Sequence, residues 1–159
     1  MKSFHTLYFL TLLAAALVLG ACGSDDSGDA GSVEKEKLAL LTHTWTVESV
    51  TQSDNRTSEF QDPDFTITLG GEFRADSPKG PYTYAVAGTQ PGLKPWATSG
   101  TWTFGADASK TLVRDDGVNV AYTLDGSTLT LTFTCATCDE DNAKKGSAEG
   151  PWIFVLKAD

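Results

Sequence analysis

From Thr44 onward, apolar and polar residues alternate with a period of two in run after run. Such alternation marks half-buried strands, because successive side chains point to opposite faces of a sheet. In Thr44–Val50, Trp45 and Val47 share one face and Thr44, Thr46 and Glu48 the other. Phe65, Ile67 and Leu69 alternate with Thr66 and Thr68. Gly70-Gly71 then reads as a hairpin turn into a strand over Glu72–Ala75. Tyr82, Tyr84 and Val86 form the next inward set, followed by Trp102 and Phe104. Lys110–Arg114 leads through the turn Asp115-Asp116-Gly117 into Val118–Leu124. Asp125-Gly126 is a tight-turn pair. The clearest strand is Ser127–Thr134, with Leu129, Leu131 and Phe133 inward and four threonines outward. Trp152–Lys157 ends the series. One stretch has a different character: 33–41, VEKEKLALL, is built of good helix formers, with Val33, Leu38 and Leu41 toward one side.

About nine short strands joined by Gly/Asp turns, with no helix between them, predict an all-β sandwich or barrel. Sequential hairpins favour an up-and-down antiparallel meander. The last strand, WIFVLK, is apolar on both faces and would be an aggregation-prone edge if left open. Pairing it with the first strand closes the sheet and removes that edge. Two longer loops interrupt the meander. Residues 88–98, GTQPGLKPWAT, carry two prolines and Trp96, which reads as exposed near the barrel mouth. Residues 135–150 are long and polar.

The N-terminus follows other rules. After Lys2, residues 7–19 are nearly all apolar, too short for a comfortable spanning helix but right for a signal peptide. Leu19-Gly20-Ala21-Cys22 resembles the lipobox of bacterial lipoproteins. It implies cleavage before Cys22 and attachment of fatty acyl chains, of the palmitate type, to that residue. Two or three chains anchor a protein stably. Residues 22–32 then read as the lipidated cysteine and a flexible acidic tether, and 33–159 as the folded domain. Asp25-Asp26, close to the anchor, resembles the surface-export signal of Bacteroidota-type lipoproteins; a solvated linker is the alternative.

Removing residues 1–21 takes only one charged residue, Lys2, and leaves 138 residues with a net charge of −10. That length suits one domain. The acidity argues against nucleic acid and against docking on anionic lipid. Cys135 and Cys138 remain after lipidation of Cys22. Outside the cytoplasm they are expected to pair, closing a small ring that pins a loop. Redox and metal roles are weaker readings, because acidic neighbours raise a thiol pKa and no second CxxC is present. His43 is the only mature histidine, and no GxSxG, HExxH or P-loop occurs. No catalytic residue, metal or other cofactor is expected.

The run LLTHTWTVESV, FTITLGGEF, GTWTF, STLTLTF and the final WIFVLK resembles the lipocalin-like lipoproteins of Bacteroidota-type bacteria, over roughly residues 36–157. Lipocalins share a glycine-x-tryptophan at the first strand; Trp45 holds the tryptophan position and His43 the glycine one. The resemblance implies an eight- or nine-stranded barrel with an apolar pocket and no known activity. It places the protein on the outer membrane, facing periplasm or exterior, as a monomer. On this reading the barrel binds a small apolar ligand, with Tyr82, Tyr84, Trp96, Trp102, Phe104 and Tyr122 as candidate contacts. The alternative is a surface interaction or structural module without a small ligand.

Overall fold

A computed structural model describes residues 31–90, 94–135 and 150–159. Cys22, the proposed signal peptide and most of the tether lie outside these residues, as does Cys138. A helix α1 spans Ser32–Leu41. It is followed by β1 (Thr44–Gln52), the two-residue β2 (Asp54–Asn55) and a 3-10 turn at Thr57–Phe60. Then come β3 (Thr66–Gly70), β4 (Tyr82–Ala87), β5 (Ser99–Phe104), β6 (Thr111–Arg114), β7 (Asn119–Asp125), β8 (Thr128–Cys135) and β9 (Gly150–Ala158). Neighbours in sequence are neighbours in the sheet. β1 pairs with β9 and closes an antiparallel eight-stranded barrel, while β2 folds back on the end of β1. The expected all-β, up-and-down, lipocalin-like barrel with a short N-terminal helix is the fold.

Closure gives the apolar last strand a partner on each edge, while Ile153 on its outer face stays exposed. Leu156 faces Val47 on one side and Leu129 on the other; Phe154 lies between Val50 and Leu131, and Trp152 between Gln52 and Phe133. Both ladders of β9 are thereby satisfied, so no edge remains there to template aggregation. β1 carries a bulge between Val47 and Ser49. One extra residue, Glu48, changes the parity of the strand, so Trp45 and Val47 point inward before it and Val50 and Gln52 after it.

Two sequence expectations are corrected. Glu72–Ala75 is not a strand. β3 pairs directly with β4, Gly70 opposite Thr83, and residues 71–81 form the loop between them. Phe73 packs on the core's edge and Lys35 lies 5.9 Å from its ring centroid, so this segment braces α1 instead of extending the sheet. Gly71 sits at φ 132°, and a Cβ there would come within 2.8 Å of the Tyr82 ring. Only glycine fits that approach. Val33, expected on the inner side of the helix, is 46% exposed, whereas Leu38 and Leu41 are buried.

α1 closes one end of the barrel, here the lower end, where β1 begins. The Trp45 indole Nε1–H donates to Leu41 O at 2.9 Å, satisfying a carbonyl left open by the end of the helix. The upper end carries the 3-10 turn and the loops 88–98 and 115–118.

Candidate functional site

The inward positions of the strands converge on a single core that runs the length of the barrel. Its lower part holds Tyr82, Trp102 and Phe104, whose ring centroids lie 4.9–5.7 Å apart. Each polar handle is used. The Tyr82 hydroxyl donates to Pro78 O at 2.7 Å, and Trp102 Nε1 donates to Thr83 O at 3.0 Å. The Tyr122 hydroxyl donates to Ala108 O in the loop after β5. Burial pushes the Tyr122 pKa well above its ordinary value, and the charges of Asp107 and Glu36 push it the same way.

The upper part is filled from outside the strands. Phe60, from the 3-10 turn, is fully buried and meets Phe65, Trp152 and Phe154 edge-on at 5.3–6.2 Å. Trp96 descends from the 88–98 loop. It is 2% exposed, with Tyr84 and Phe133 both at 5.5 Å and Phe154 at 6.4 Å. This corrects the expectation of an exposed Trp96. A loop composed of Gly, Pro and Thr reads as surface, but an indole has too much apolar area to leave in water when the barrel mouth offers an aromatic lining.

Arg114 holds this plug in place. Its position on β6 shares the inward face with Leu112, and it is 4% exposed. Nη1 donates to Pro95 O at 2.7 Å, while Nε and Nη2 fork onto the Asp116 carboxylate. The guanidinium carbon lies 4.6 Å from the Trp96 ring centroid and 5.5 Å from that of Phe133, cation–π distances that place the charge on the aromatic surface. Asp116 in turn accepts the Val118 N–H at 3.1 Å, which sets the β6–β7 turn. Two groups on the 88–98 loop are left over: Trp96 Nε1 and Gln90 Oε1 are buried and have no hydrogen-bond partner among the described residues. Arg114 also opposes, and Asp115 and Asp116 reinforce, the upward pKa shift that burial imposes on Tyr84.

The six candidate ligand contacts are therefore all buried, at 2–3% exposure. The barrel groups Tyr82, Trp102 and Phe104 below and Tyr84 with Trp96 above. Arg114 and Phe60 escaped the sequence reading. Arg114 was visible in principle as a charge at the inward parity of TLVR, whereas Phe60 is a lone aromatic in a polar stretch with no periodicity to place it. His43 is exposed and meets Trp45 edge-on at 5.6 Å. Cys135 is buried at the end of β8, beside the segment that contains Cys138.

Two grooves are lined by described residues at the outside of the barrel. A groove of about 570 Å³ crosses β6–β8 past Thr111, Asp116, Asn119, Thr132 and Thr134. A second, of about 540 Å³, lies between α1 and the lower rim, along Lys37, Leu40, His43, Leu124 and Ala158. No helix among the described residues is long and apolar enough to cross a membrane. Comparison of the chain with known families, with curated proteins and with solved structures finds no match.

Proposed function

We propose that the chain is a lipoprotein of the bacterial outer membrane, anchored through acylated Cys22, whose barrel is a rigid module that presents its upper loops to a partner. The observation that carries this reading is the occupied interior. Side chains from the strands fill the lower half, and Phe60 and Trp96 fill the upper half. A small barrel whose lumen is taken by its own aromatics has its surface left for recognition. The lipobox and the acidic tether supply the anchor; the resemblance to lipocalin-like lipoproteins supplies the envelope setting. Within this reading Cys135 and Cys138 form a disulfide that ties the long 135–150 loop to the end of β8.

A second reading keeps the apolar ligand, and one observation favours it: Trp96 is held on a loop with its indole N–H buried and without a partner among the described residues. A ligand that displaced Trp96 would meet Tyr84, Phe133 and Phe154. Native mass spectrometry of the protein released gently from its own membrane separates the two. The module reading expects the mass of the acylated chain alone or with a protein partner. A stoichiometric small molecule retained on the chain would overturn it in favour of the carrier.

A further inference from the structure

Three large hydrophobic side chains are exposed among the described residues, and two of them, Val33 at 46% and Leu40 at 47%, lie on α1. They are seven residues apart, two helical turns, and so share a face. That face is not the one α1 uses to hold the barrel, which is formed by Leu38 and Leu41. Beside Leu40 runs the groove of about 540 Å³, with Lys37 and His43 among its walls and Leu124 and Ala158 toward the barrel rim. The start of the helix is fixed: a Cβ on Gly31 would lie 2.7 Å from Pro78 Cβ and 3.0 Å from the Phe73 ring, so the backbone is pressed against the 71–81 loop.

The tether identifies what covers this face. Nine residues' advance from Cys22 to Gly31 spans at most about 30 Å, whatever its conformation. With acyl chains on Cys22, the bilayer is never farther than that from α1. We infer that α1 and the lower rim rest on the phospholipid surface of the anchoring leaflet, with Val33 and Leu40 turned to the acyl boundary. Lys37, whose ammonium meets the exposed Glu36 carboxylate at 3.1 Å, fits such a seat, since a lysine buries its stem against apolar groups and can exchange that surface partner for headgroup phosphates. Two apolar side chains bind a bilayer weakly from solution. Tethering makes the contact intramolecular, and high effective concentration lets weak contacts form. Opposed by a net charge of −10 on the mature chain, the seat favours zwitterionic over anionic headgroups. The upper end, with Trp96 and the 115–118 turn, then faces away from the membrane.

This inference rests on the Cys22 anchor proposed above, and the experiment separates the two. Full-length acylated protein is reconstituted into phosphatidylcholine vesicles that contain a diazirine-bearing lipid, and photolabelling is mapped by peptide. The expected result is at least about fivefold more label on the peptide spanning 31–43 than on one spanning 112–119. The double substitution Val33→Asp and Leu40→Asp, at exposed positions that leave the core intact, should reduce the 31–43 label to the upper-loop level without changing near-ultraviolet circular dichroism. Equal labelling of both ends, or label indifferent to the double substitution, overturns the seat while co-flotation with vesicles upholds the anchor. Failure to float overturns the anchor. Solvent protection of α1 that rises with protein density, without lipid label, assigns the face to a second copy of the chain and also overturns the seat.

Discussion

Trp96 and Arg114 act as one unit, and their substitutions should separate a core plug from a surface contact. Trp96→Ala removes a buried indole packed on three aromatic rings, so the expected loss is about 3–5 kcal/mol by chemical denaturation. A surface tryptophan would lose no more than about 0.5 kcal/mol. Arg114→Leu keeps apolar volume but removes the Nη1 bond to Pro95 O and the fork onto Asp116; the expected loss is about 1–3 kcal/mol, with the Asp116 share reduced because that carboxylate is partly exposed. Tyr122 gives a prediction in pH. Its folded-state pKa is raised above the ordinary 10.0, chiefly by burial. The unfolded chain therefore loses this proton first. Stability is full below pH 10 and falls as pH rises above it. Tyr122→Phe should cost about 1 kcal/mol at neutral pH through the lost bond to Ala108 O, and should flatten the alkaline decline. A Tyr122→Phe protein with the same steep decline would place its cause in Tyr82 and Tyr84, whose pKa values burial also raises.

At the scale of elements, the regular strands were legible and the irregular pieces were not. Thr128–Cys135 was plain in the alternation, because one buried and one solvated face leave a period-two record, and the last strand in its continuous apolar run. The bulge at Glu48 leaves only a faint record: Val47 and Val50 are three residues apart, an odd spacing that unbroken alternation would put on opposite faces, and the pairing with β9 shows both inside. Glu72–Ala75 misled for the converse reason. A double glycine suggests a hairpin, yet here Gly71 serves the approach of the Tyr82 ring. The 3-10 turn is the least legible element and among the most consequential. Phe60→Ala should destabilise by about 3–5 kcal/mol, measured by thermal or urea unfolding, despite lying in a sequence that reads as polar loop. Replacing both Cys135 and Cys138 should cost about 2 kcal/mol or less, since a disulfide across so few residues removes little chain entropy. Free thiols in protein isolated without reductant would remove the proposed pairing.

For the whole molecule, the closed barrel follows from one sequence feature more than any other, the strongly apolar final strand, which as an open edge would template aggregation and which closure pairs on both sides. What occupies the barrel was not legible. Inward aromatics can line a pocket or fill it, and the difference depends on whether loop residues fold back into the mouth. That is a property of chain path, which periodicity does not encode. The function proposed here therefore turns on Trp96. Hydrogen exchange of the indole N–H groups, followed by nuclear magnetic resonance with Trp96 assigned through a Trp96→Phe protein, tests it most directly. The filled barrel predicts that the Trp96 N–H exchanges far more slowly than free indole, on the scale of the strand-borne Trp45, Trp102 and Trp152. Exchange at the rate of free indole would put Trp96 in water, leave the upper half of the barrel open and contradict the account.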